Sequence, residues 1–95
     1  MDAPVEDIRH RIGPTLKKFG VVRAALFGSA VRGELTVTSD LDFLVELEAG
    51  RTLFDLVGLK LELTDVLGTE ADVVTYRSLH PRMRDRVLRE QVPVL

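Results

Sequence analysis

The sequence predicts a mixed α/β (α+β) domain built on a small sheet flanked by helices. Two observations carry this reading. Apolar residues recur at spacings of three and four near the start, in the middle and near the end of the chain, as amphipathic helices require. Between these stretches stand short, β-branched apolar runs ended by glycine or turn residues, as buried strands require. With 95 residues, the chain has room for one domain, residues 1–95, burying roughly 60 to 65% of its unfolded surface.

Val5, Ile8, Ile12, Leu16 and Phe19 share one helix face, and Gly20 is suited to end that helix. Gly13-Pro14 interrupts the pattern and predicts a kink or two short helices, because proline removes a backbone hydrogen bond and crowds the preceding turn. Val21–Phe27 is short, apolar and closed by Gly28-Ser29, and reads as the first strand. Leu41–Leu47 reads as the second, with Leu41, Phe43, Val45 and Leu47 on one face and Asp40, Asp42, Leu44 and Glu46 on the other. Leu53–Leu67 reads as a helix capped by Thr52 and closed by Gly68. Its apolar arc takes in Leu53, Phe54, Leu56, Val57, Leu59, Leu61, Leu63, Val66 and Leu67. One sheet face does not need so wide an arc: the ordinary reading is a deeply buried helix, and the favoured one a helix that packs on the sheet and also on a second chain. Ala71–Thr75 reads as the third strand. A last helix follows, with Ser78 as cap, Pro81 in the first turn, an apolar side of Leu79, Met83, Val87 and Leu88, and Pro93 as its stop. With a turn or short helix after Gly28-Ser29, the resulting order is α, β, α, β, α, β, α or close to it.

Composition narrows the functions open to the chain. Thirteen Lys and Arg against fifteen Asp and Glu leave a formal charge of −2, so no extended nucleic-acid surface is expected and any polyanion binding must be local. The absence of cysteine excludes disulfides, thiolate nucleophiles and zinc-thiolate sites, and fits a cytoplasmic location. No apolar run approaches the roughly 18 residues of a membrane span. On the last helix Arg77, Arg82, Arg84, Arg86 and Arg89 could bind phosphate, RNA or an acidic partner. The ordinary reading is a solvated face with pairing to Asp85 and Glu90. His10 and His80 read as surface residues, and Tyr76 as core edge rather than a base-stacking platform.

The chemistry concentrates between Phe27 and Asp42. Gly28-Ser29 ends a strand where a glycine lets backbone N–H groups approach a phosphate, and Ser29 adds a hydroxyl donor. Asp40 and Asp42 lie two apart on a strand, so both carboxylates point to one face and can grip a hard cation. Without a cation or an arginine such a pair is costly, because like charges repel. Asp72 opens another apolar strand, where a carboxylate is awkward unless it reaches solvent or a shared site. If the second and third strands are neighbours, it joins the other two. Glu70 is the rival third ligand, but it follows Gly68-Thr69 and belongs to the loop. Three converging carboxylates suit two Mg²⁺ ions in an in-line phosphoryl displacement.

Gly28-Ser29, ten residues, then Asp40-Leu41-Asp42, with Arg32-Gly33 and Ser39 between, resembles the signature of the DNA polymerase β-like nucleotidyltransferase superfamily, and in particular its minimal nucleotidyltransferases. The resemblance covers essentially the whole chain and implies that superfamily's small mixed sheet with flanking helices. It implies further that Gly28 and Ser29 hold the triphosphate of ATP or another NTP, with Arg32 in the same signature. Asp40 and Asp42 would ligate both Mg²⁺ ions, and Asp72 would complete the site on the nucleophile side and assist proton removal. Minimal members resemble this chain in lacking acceptor-binding domains. They typically pair with a helical HEPN-type toxin, acting as antitoxin and transferring AMP to a tyrosine hydroxyl of that toxin. The expected function is thus Mg²⁺-dependent AMP transfer to a HEPN partner. The alternatives are a non-catalytic antitoxin that masks the toxin, and transfer to a small molecule or RNA end.

Overall fold

The computed structural model describes residues 3–28 and 41–95. Their order is α1 (Ala3–Lys18), β1 (Val21–Phe27), β2 (Leu41–Leu47), α2 (Leu53–Leu67), β3 (Ala71–Thr75), a 3₁₀ turn (Tyr76–Ser78), α3 (Pro81–Glu90) and β4 (Val92–Pro93). The three expected strands and the middle helix fall where the periodicity places them. The strands form one mixed sheet in the order β3-β2-β1-β4. β1 runs antiparallel to β2 and β4, while β2 and β3 are parallel, α2 carrying the chain back between them.

The sheet is covered on both faces. On one, Ile8, Ile12 and Leu16 of α1 and Leu59 and Leu63 of α2 pack on Ala24, Leu26, Leu41, Phe43 and Val45. On the other, Val87 of α3 and Tyr76 pack on Leu44, with Phe27, Val74 and Leu88 around them. Strand alternation accounts for the division: Leu41, Phe43 and Val45 face one way, and Leu44 the other, the side that Asp42 shares.

Four details depart from the sequence reading. α1 is a single helix with Pro14 inside it. Ile8, Ile12 and Leu16 keep one buried stripe across the proline, and Gly13, with no Cβ, relieves the crowding that a residue before proline normally suffers. The cap of α3 is His80, whose Nδ1 accepts from the Arg82 N–H at 3.1 Å. Ser78 instead closes the 3₁₀ turn by donating to the Thr75 carbonyl at 3.0 Å. Met83 stands exposed on α3 while Val87 is buried. Val92–Pro93 continues into a short edge strand on β1, a position where proline is tolerated.

α2 has the ends its sequence announces. The Thr52 hydroxyl accepts from the Phe54 N–H at 3.2 Å, and the Asp55 carboxylate accepts from the Thr52 N–H at 2.8 Å. Gly68 closes the helix at a φ of 71°, a conformation that favours glycine. No helix among the described residues is long and apolar enough to cross a membrane.

Candidate active site

Three predicted site residues, Gly28, Asp42 and Asp72, fall in the described structure; Ser29, Arg32 and Asp40 lie outside the described residues. The sheet brings the three together. Antiparallel pairing sets Phe27, at the end of β1, opposite Asp42, so Gly28 follows directly beside it. Parallel pairing sets Asp42 opposite Asp72. Register partners on neighbouring strands lie about 4.8 Å apart and point to the same face. The second and third strands are therefore neighbours, and Asp72 stands opposite Asp42. Glu70 is exposed in the connection before β3, where its carbonyl accepts from the Leu41 N–H at 3.0 Å.

Gly28 has a structural reason for being glycine. Its φ is 80°, and a Cβ there would stand 2.5 Å from the Asp42 Oδ2. The bare backbone makes room for the carboxylate, and a side chain would displace it.

Lys60 was not singled out by sequence. From α2 its ammonium donates to the Ala71 carbonyl at 2.8 Å and reaches the Asp72 Oδ1 at 3.3 Å. It offsets part of the negative charge that register concentrates at this end of the sheet. A signal was available: Lys60 is the single cation between Leu53 and Leu67. Its place beside Asp72 depends on how α2 returns over the sheet. Near the same helix end, the Thr64 hydroxyl accepts from the Ala71 N–H at 3.1 Å.

The donor set suits a hard divalent cation. Both described carboxylates supply oxygen, both are part-exposed at a sheet end, and they share a face. Among the described residues no third acidic or histidine side chain completes a cluster with them; the sequence assigns that role to Asp40.

The opposite end of the sheet has a different character. A cleft of about 760 Å³ opens beyond the last residues of β2 and β3, lined by Arg23, Arg51, Arg77 and Arg84, by Glu46 and Glu48, and by Tyr76 and the start of α2. The Arg23 guanidinium lies 4.2 Å from the centre of the Tyr76 ring. The Tyr76 hydroxyl donates to Gln91 Oε1 at 2.8 Å. Burial pushes the phenol's pKa up, while the Arg23 charge pulls it back in part.

Residues 11–94 match the nucleotidyltransferase domain family. A candidate protein adenylyltransferase of Methanocaldococcus jannaschii, MJ0435, is 53% identical over 91 residues, spanning 96% of this chain and 98% of the relative. The solved structure of a candidate minimal nucleotidyltransferase superposes with a TM-score of 0.80 at 46% identity, over 94% of each chain. The complex of the tri-AMPylated Shewanella oneidensis HEPN toxin with an MNT antitoxin contains a chain that superposes with a TM-score of 0.72 at 18% identity, covering 96% of this chain and 71% of that one. That last likeness shows the fold alone. With a family match across most of its length and a relative sharing half of its residues, the chain belongs to the nucleotidyltransferase domain family.

Proposed function

We propose that the chain transfers AMP from ATP to a hydroxyl of a helical HEPN-type partner protein, in a Mg²⁺-dependent reaction, and acts as the antitoxin of that partner. The observation that carries the chemistry is the register pairing of Asp42 with Asp72 beside the bare backbone of Gly28. The relative named for protein adenylylation and the fold neighbour bound to an AMPylated HEPN toxin support the choice of nucleotide and acceptor.

Asp42 and Asp72, with Asp40, would hold Mg²⁺, which when bound neutralises triphosphate charge and lowers the pKa of the attacking hydroxyl. Gly28 and Ser29 position the triphosphate so that the α-phosphorus faces the acceptor. The acceptor oxygen forms a bond to the α-phosphorus, the bond from that phosphorus to the bridging oxygen of the β-phosphate breaks, and pyrophosphate leaves. Asp72, on the nucleophile side, receives the hydroxyl proton. Lys60 steadies Asp72 through the 3.3 Å contact and the adjacent Ala71 carbonyl.

A second reading, masking of the toxin without transfer, draws support from the apolar side chains that α2 leaves exposed. Intact-mass spectrometry of a HEPN-type protein separates the two, after incubation with this chain, Mg²⁺ and each NTP in turn. A gain of one or more AMP units, lost with Asp42→Asn, is the expected result. A stable complex without mass gain establishes masking. Neither complex nor mass gain points to a small-molecule or RNA acceptor.

A further inference from the structure

α2 buries one side and bares the other. Leu59 and Leu63 are fully buried against the sheet, whereas Leu53, Phe54, Val57 and Leu61 are 72%, 88%, 48% and 63% exposed. At 100° per residue those four span an arc of about 100°, nearly opposite the buried pair. Four large apolar side chains on a single face are far more than the scattered exposure of an ordinary surface.

The stripe has two defined ends. Leu53 lines the arginine cleft. Leu61 follows Lys60, which touches Asp72 of the candidate active site. The path from Leu53 to Leu61 is about 12 Å along the helix axis. It joins the cleft to the carboxylate end of the sheet.

The cleft fits carboxylates. Arg77 and Arg84 form no ion pair among the described residues, while Arg23 lies over the Tyr76 ring with Glu46 as its cross-strand register partner. Guanidinium groups left in this state keep their planar donors for a bidentate partner. Arg51, by contrast, is held by Glu48 and Asp55. A nucleic acid would match the guanidinium groups but has no use for a leucine and phenylalanine stripe, and the chain's net charge of −2 gives it no long-range pull.

We propose that the arginine cleft and the exposed face of α2 form one docking surface for a protein whose contact segment presents carboxylates at one end and apolar side chains along the rest. The proposal rests on the protein-acceptor reading above and specifies how that acceptor is gripped. Its acidic end sits among Arg23, Arg77 and Arg84, its apolar face lies on Phe54 and Val57, and the acceptor hydroxyl is delivered to the far end of α2. Grip and chemistry thus occupy opposite ends of the same helix.

The test is the affinity of the full chain for the HEPN-type protein used in the mass experiment, measured by titration calorimetry at low and high salt. The proteins compared are the wild type, the double variant Arg77→Glu/Arg84→Glu, and Phe54→Asp. ATP affinity and circular dichroism are recorded for each. The expected result is a tenfold or greater loss of partner affinity in both variants, with ATP binding and fold unchanged and wild-type affinity falling with salt. Wild-type affinity in both variants overturns the docking surface even if the mass gain shows transfer. A complex that needs the surface but yields no mass gain upholds the docking and rejects the transfer. Three further results also overturn the proposal: no complex with the wild type, a labelled RNA strand bound through Arg77 and Arg84, or a dimer of this chain broken by Phe54→Asp.

Discussion

At the start of β2 the sheet gathers carboxylates, Asp42 beside Asp72, with the backbone of Gly28 pressed against the first of them. About 16 Å further along the same strand it gathers guanidinium groups around Tyr76. The two ends settle their charge differently. At the carboxylate end, register sets like charges side by side and Lys60 offsets part of that charge at Asp72, in an oxygen donor set suited to a hard cation. At the arginine end, Glu48 and Asp55 satisfy Arg51, while Arg77 and Arg84 have no ion-pair partner among the described residues. On the two readings proposed above, one end would hold a cation and the phosphates it carries, and the other an anionic group of a partner.

The comparison can be broken most sharply at the carboxylate end. Asp42→Asn or Asp72→Asn should lower nucleotidyl transfer by more than about a hundredfold, because even residues supporting a metal ligand cost roughly ten- to a hundredfold when lost. The melting temperature should hold or rise, since a repelling charge has gone. Transfer assayed alongside thermal unfolding checks both.

Next in size is Gly28→Ala. A left-handed backbone costs alanine roughly 1–2 kcal/mol, and the methyl group would push the Asp42 carboxylate from its place. Transfer should fall roughly ten- to a hundredfold with only modest loss of stability, read from the transfer rate and a denaturant midpoint.

A smaller effect is expected of Lys60→Met. Its pair with Asp72 is partly exposed, so stability should change by less than about 1 kcal/mol. Mn²⁺ binding followed by paramagnetic resonance should tighten, because a competing cation is removed. Unchanged or weaker Mn²⁺ binding would mean that Lys60 orients Asp72 more than it competes for it.

The smallest effect belongs to the arginine end. The chain has one tyrosine, so phenolate absorbance reports Tyr76 alone. Its pKa should lie above the ordinary value near 10 in the folded protein and return to it in denaturant. Because the folded-state value is raised, this contribution to stability is complete below pH 10 and is lost as pH climbs through the folded-state pKa. Arg23→Ala should raise the folded value further, since the guanidinium charge stabilises phenolate.

The legibility of the two ends differed for a physical reason. The carboxylate end announces itself locally: glycine at a strand end, acids alternating on a strand, and a further acid opening another. Those are properties of neighbours in the chain, and period-two alternation states which face they share. The arginine end is assembled from β1, the 3₁₀ turn, α3 and the start of α2, and nothing in the spacing of Arg23, Arg51, Arg77 and Arg84 says that they meet. Tyr76 read as core edge, and it is nearly buried, but its stacking under Arg23 needed two distant segments to come together.

Local misreadings had the same origin. Gly13-Pro14 reads as a kink or a division into two short helices, and with Ile8, Ile12 and Leu16 buried on one stripe α1 stays one helix rather than two. Ser78 is the better capping residue by type, yet the chain direction set by the 3₁₀ turn hands the cap to His80. β4 is too short to show a period and exists because β1 offers it an open edge.

By itself the sequence determined the strands, the capped middle helix with its two-sided apolar content, the family signature and the acids that would carry the chemistry. Hydrophobic period, capping chemistry and glycine's freedom are all properties of residues within a few positions of one another. Only the tertiary structure decided that Asp72 stands opposite Asp42, that Lys60 bends toward that pair, and which leucines of α2 are left bare. Strand order, register and helix packing are settled by contacts between segments far apart in the chain, where free energy is gained by burial and sequence spacing carries no information.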